Sequence, residues 1–108
     1  MAFSIDGGVS FDAPIDVDAE NPLGRVDVVI TAHGNAIVSW LAQNEGGFRY
    51  REITSDGQIG DAIKVASMAT RRASGFPKMI ETNGKLIFAW TDTSADVPRV
   101  RTSMMRLP

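Results

Sequence analysis

Ala36-Ile37-Val38-Ser39-Trp40 returns 50 residues later as Leu86-Ile87-Phe88-Ala89-Trp90. The same spacing carries Gly34 onto Gly84, Ile30 onto Ile80 and Arg49-Tyr50-Arg51 onto Arg99-Val100-Arg101. Further upstream it carries Asp6-Gly7 onto Asp56-Gly57 and Val9 onto Ile59. Ile15 and Val17 match Ile63 and Val65 at a spacing of 48, so the first copy holds two extra residues there and a longer later loop restores the register. A single matched pair means little, but several apolar runs and turns in one register mean duplication of a unit of about 50 residues.

Each unit reads as strands. Val26-Asp27-Val28-Val29-Ile30-Thr31 and Ala36-Ile37-Val38-Ser39-Trp40-Leu41 flank His33-Gly34-Asn35, whose Gly and Asn tolerate the positive φ of a tight turn. Gln43-Asn44-Glu45-Gly46-Gly47 is a polar loop, and Phe48-Arg49-Tyr50-Arg51-Glu52-Ile53 alternates as a third strand. Ser55-Asp56-Gly57-Gln58 is another turn, followed by a short fourth strand, Ala62-Ile63-Lys64-Val65. No helix is expected, since the best candidate, 66–73, has poor apolar spacing. Four short antiparallel strands in about 50 residues is the content of a propeller blade. A small sandwich or barrel is the competing reading, and two Trp residues matched in register favour blades.

Composition limits the function. The 108 residues are 44% hydrophobic and 22% charged, as in an ordinary folded domain. With 11 basic against 13 acidic residues the net charge is −2, which gives no bulk grip on nucleic acid, and no apolar run suits a membrane helix. The absence of Cys excludes disulfides and thiolate metal sites, and a single His, His33, nearly excludes a His-cluster metal site or a Ser-His triad within one chain. No cofactor is implied. The start, MAFSIDGG, has no export signal, and compartment stays open.

Ser4-Ile5-Asp6-Gly7-Gly8-Val9-Ser10-Phe11 resembles the Asp-box, or BNR repeat, Ser/Thr-x-Asp-x-Gly-x-x-Trp/Phe. In such a turn the Asp accepts backbone N–H groups, Gly supplies the dihedral and the aromatic packs the turn on its blade. The second copy keeps Thr54, Asp56 and Gly57 but has Gln58 and Asp61 where Gly and the aromatic belong. With Gly24-Arg25-Val26-Asp27-Val28-Val29, Val38-Ser39-Trp40 and Ser74-Gly75-Phe76-Pro77, the chain resembles two consecutive blades of a sialidase-like (neuraminidase superfamily) six-bladed propeller.

That resemblance implies an all-β fold of two four-stranded antiparallel blades. Residues 1–23 hold an outer strand (about 11–17) with the Asp-box turn and a loop, 24–67 blade 1, and 68–108 blade 2, with strands at 76–82, 85–92 and 98–105 and the outer strand missing. The N-terminal strand of another copy would complete the second blade, a head-to-tail contact that closes into a ring, with a trimer giving the family's six blades and a tetramer of eight blades the alternative. In the family, Asp-boxes lie away from the ligand, so Ser4, Asp6, Gly8, Phe11, Asp56 and Gly57 are structural expectations. Ligands sit at the axial loops, which here hold Arg25, Asp27, Glu45, Arg71, Arg72, Asp92 and Asp96. Sialidases bind the substrate carboxylate with an arginine cluster, a task that suits the planar guanidinium fork.

The resemblance therefore implies an acidic sugar or small anion held by Arg25 and Arg72, with Asp27, Glu45 and Asp92 nearby; equally, Arg25 can pair with Asp27 or a neighbouring blade's carboxylate and fill the channel. The family's Tyr nucleophile and its Glu partner have no counterpart, because Tyr50, the only Tyr, lies mid-strand as a packing residue, so no catalysis is expected from this chain alone. The alternatives are a piece of a sialidase-like glycoside hydrolase whose catalytic residues lie in further blades, and a ligand-free structural propeller. Trp40 and Trp90 suit core positions better than a sugar platform, and Arg49, Arg51, Arg99 and Arg101 suit solvated strand faces or ion pairs between blades.

Overall fold

The computed structural model describes residues 1–20, 22–43, 47–67 and 75–107. Among them every regular element is a strand, and the strands form two antiparallel sheets. Sheet A holds β1 (Pro22–Ile30), β2 (Ala36–Ala42), β3 (Gly47–Ile53) and β4 (Ile63–Ser67), in that spatial order. Sheet B holds β5 (Lys78–Thr82), β6 (Lys85–Asp92) and β7 (Arg99–Arg106), again in order. The expected strands are all present except 11–17, which joins neither sheet. β1 begins at Pro22, upstream of the expected boundary at residue 24.

The duplication survives in the pairing, with two corrections: Ile80 matches Val29 and not Ile30, and the third strand slips by two residues. Val28 pairs with Val38 and Val29 with Ile37, as Met79 pairs with Phe88 and Ile80 with Ile87. In the third strands Arg49 faces Trp40 and Arg101 faces Trp90, so Arg49 matches Arg101 and not Arg99. The longer connection between β6 and β7 absorbs the two additional residues.

The two sheets pack face to face. Period-two alternation sends Ile37, Leu41, Phe48 and Tyr50 of sheet A against Met79, Leu86 and Phe88 of sheet B. Phe48 meets Phe88 edge-on at 5.6 Å between ring centroids and Trp90 at 6.0 Å, an arrangement suited to the ring quadrupoles. The Tyr50 hydroxyl donates to the Met105 sulfur, and burial pushes its pKa up, with the Glu52 charge adding to the effect.

Sheet A has a second covered face. Residues 1–3 fold against 12–15, with the Met1 ammonium and carbonyl bonded to the Ile15 carbonyl and N–H, and the Asp12 N–H bonded to Phe3 O at 2.8 Å. This segment lays Met1, Phe3, Ile15 and Val17 on Ala36, Val38 and Ile53. β2 is therefore covered on both faces, and all seven of its residues are buried, which explains its unbroken apolar run. Val17 packs on the cluster of Ala36, Val38 and Ile53, and Val65 on the cluster between the two sheets.

β1 is irregular at its start. The register slips between Pro22 and Gly24 and again between Gly24 and Asp27, and Gly24 and Arg25 carry φ of 101° and 55°. A left-handed Arg costs on the order of 1 kcal/mol, so its surroundings must hold it there. Such a bulge bends the strand and re-aims its side chains.

Candidate functional site

Antiparallel order brings the starts of β1, β3, β5 and β7 and the ends of β2, β4 and β6 to one end of the molecule. Arg25, Asp27 and Asp92 lie towards this end, whereas Glu45, Arg71 and Arg72 fall outside the described residues. Arg25 donates from Nη1 to the Gly75 carbonyl at 2.9 Å, and its guanidinium lies 5.7 Å from the centre of the Phe76 ring. Both contacts cross from sheet A to the entry of sheet B and offset the cost of the left-handed backbone. Asp27 accepts the Met79 N–H at 3.0 Å and the Val28 N–H at 2.9 Å, so its carboxylate also ties the sheets together.

Asp92 is tied within sheet B. It accepts the Ser94 N–H at 2.9 Å and Arg101 Nε at 2.6 Å, and its carboxyl is lowered to about 2, chiefly by the Ser94 hydrogen bonds and then by Arg101. Arg25, Asp27 and Asp92 thus all have structural partners.

The opposite end carries the two matched turns. The Ser4 hydroxyl donates to Asp6 at 2.8 Å and accepts the Gly8 N–H at 2.9 Å. Asp6 also takes the N–H of Ser10 at 2.9 Å and its hydroxyl, and these bonds to Ser10, then Ser4, lower its carboxyl to about 2. In the second copy the Thr54 hydroxyl donates to Asp56 and accepts the Gln58 N–H at 3.0 Å, and Thr54 holds the Asp56 carboxyl below its usual range. Gly7 and Gly57 share a positive φ, 71° and 92°. Gly8 adds a second left-handed residue at 88°, whereas its counterpart Gln58 is not left-handed, and that is why a side chain is accepted there. Phe11 departs from expectation: it is 63% exposed and does not pack its turn against either sheet.

Comparison with protein-family models, with curated proteins and with solved structures finds no match.

A polar cleft of about 320 Å³ escaped sequence reasoning. It is lined by Asp18, Glu20, Trp40, Arg49 and Arg51, among others. Arg51 lies 5.6 Å from the Trp40 ring centre and donates to the Val17 carbonyl, while the Trp40 indole N–H donates to Asp18 at 2.8 Å. Arg51 Nε is buried without a hydrogen-bond partner. Trp40 is only 2% exposed, so it serves the core and offers no stacking surface to a sugar. The legible signal was the Trp–Arg cross-strand pair, which recurs as Trp90–Arg101. His33 occupies the exposed Thr31–Asn35 turn, closed by the Thr31 N–H on Asn35 O at 2.9 Å. Among the described residues, no group of three or more His, Asp or Glu is placed to hold a metal.

Proposed function

We propose that the chain is a blade pair of a sialidase-like β-propeller that assembles with copies of itself into a ring and serves as a binding module for a small anion or acidic sugar. The observation that carries this reading is the repetition of packing on successive faces. The N-terminal segment lies through Met1, Phe3, Ile15 and Val17 on the face of sheet A turned away from sheet B, so sheet A is stacked between two layers. An open sandwich of two sheets has no need of a third layer, whereas stacked blades repeat such a contact at every step. The Ser4 and Thr54 turns, alike in hydroxyl, carboxylate and glycine, are then the Asp-boxes of successive blades.

Six blades at two per chain make a trimer, in which the segment 11–17 of one copy lies beside β7 of its neighbour as that sheet's fourth strand. Phe11, exposed in the single chain, then finds the blade it is expected to pack on.

The ligand belongs at the end that holds Arg25. A guanidinium fixed by a backbone carbonyl and a ring face is preorganised, and a ring brings one copy per chain to the axis. A carboxylate, phosphate or sulfate matches its planar fork. Titration with sulfate and with sialic acid, followed by amide NMR, tests the ligand. Shifts at Gly24–Asp27 and Gly75–Phe76 that vanish in Arg25→Met are expected. Binding that survives Arg25→Met in a variant that keeps its fold overturns the ligand assignment and leaves a propeller that acts as a scaffold.

A further inference from the structure

Two apolar faces of the molecule are left open. On sheet A, the N-terminal segment covers β2 and β3 but not β1, and a cleft of about 470 Å³ remains, lined by Phe3, Val17, Val26, Val28, Ile30 and Val38, among others. Val28 is 53% and Ile30 59% exposed there. On sheet B, the face turned from sheet A carries Ile80, Ile87 and Met104 directly opposite one another across β5, β6 and β7. Ile80 is 55% and Met104 62% exposed.

The contact between sheets A and B shows what fits each face. Ile80 and Ile87 hold the places in sheet B that Val29 and Ile37 hold in sheet A, and Val29 and Ile37 pack towards the next sheet. Val28 and Val38 hold the places in sheet A that Met79 and Phe88 hold in sheet B, and these two receive the preceding sheet. Each open face is therefore one half of a contact whose other half is the other open face.

Charge agrees with that pairing. The first 24 residues hold five Asp and Glu and no Lys or Arg. The open face of sheet B is edged by Lys78, Lys85 and Arg106. An acidic border beside one face and a basic border beside the other favour unlike faces and oppose like ones.

We infer that the β1 cleft is the docking site for a second copy of this chain, which seats its Ile80–Ile87–Met104 row on Val28, Ile30 and Val38. The inference rests on the ring reading and names the surfaces by which the ring forms. Contact between unlike faces is heterologous, so it propagates from copy to copy until a ring closes.

The experiment uses two variants at exposed positions, Val28→Glu and Ile80→Glu, with the β-type circular dichroism of each checked against the parent. The parent chain should show a mass of several copies by light scattering. Each variant alone should fall to 11.7 kDa, because every chain then lacks the same half of the contact. An equimolar mixture should form a dimer of about 23 kDa and nothing larger, since one intact pair of faces remains between the two chains. High salt should weaken that dimer, as screening removes the acidic–basic attraction. If the parent is oligomeric and either variant keeps its full mass, or if the mixture fails to pair, the docking faces are wrong while the ring stands. A folded parent of single-chain mass overturns the ring and the docking site together.

Discussion

Sheet A and sheet B start from nearly the same sequence pattern and end in different circumstances. Sheet A is covered on one face by sheet B and, over β2 and β3, on the other by the N-terminal segment, and β2 is wholly buried. Sheet B is covered on one face only, and in the matching strand β6 just Leu86 and Phe88 are buried. Burial in this molecule is thus decided by which neighbour a copy has, more than by the residues it carries. The two Trp residues show this directly: Trp40 is 2% exposed and bonded to Asp18, whereas its partner in the repeat, Trp90, is half-buried.

The largest expected difference between the sheets follows from those Trp residues. Trp40→Ala should cost about 3–5 kcal/mol in urea unfolding, because it empties a closed site and removes the indole donor of Asp18 and the ring face beside Arg51. Trp90→Ala should cost clearly less. Equal losses would mean that the N-terminal segment does not cover sheet A.

The next comparison sets the two turns against each other. Gly8→Gln, which installs the residue of the second copy, should destabilise the first turn by about 1 kcal/mol, since it forces a side chain to φ 88°. Gln58→Gly should do far less. Amide hydrogen exchange at Ser10 and Gln58 reads both effects, and equal losses would show that the turns are not built differently.

The same turns predict an acid response. Asp6 is held at about 2 in the folded chain, below its unfolded value, so its stabilising effect is complete above about pH 4 and is lost as pH falls towards 2. Asp92 behaves alike at the other end of the molecule. Asp6→Asn should flatten part of the fall in stability between about pH 4 and pH 2, and an unchanged slope would show that Asp6 contributes nothing to it.

The smallest effect is expected on the open face of sheet B. Met104→Ala should change the unfolding free energy of the dilute chain by no more than about 0.5 kcal/mol, because that side chain touches solvent. A loss as large as that of a buried Met would mean that the face is covered even in the single chain.

Much of the fold was legible beforehand. Period-two alternation and Gly-Asn turns placed seven strands within a few residues, because strand propensity and local turn chemistry agree along this chain. The two-residue slip of the third strand was not legible: Arg99-Val100-Arg101 imitates Arg49-Tyr50-Arg51, and only the pairing of Arg101 with Trp90 breaks the tie. Nor could spacing reveal the bulge at Gly24–Arg25, where contacts with Gly75 and Phe76 override backbone preference. Nor could it show that Arg25 and Asp27 each reach across to sheet B. The cleft was hidden because Arg49 and Arg51 of β3 meet Asp18 and Glu20 only through a distant loop.

The central claim is that the two sheets are successive copies of one stacking unit whose open faces complete each other between chains. The solution mass of the unmodified protein, measured by light scattering on folded material, tests it most directly. Three chains, about 35 kDa, is the value expected for a closed six-blade ring. A well-folded species of 11.7 kDa at every concentration would contradict it.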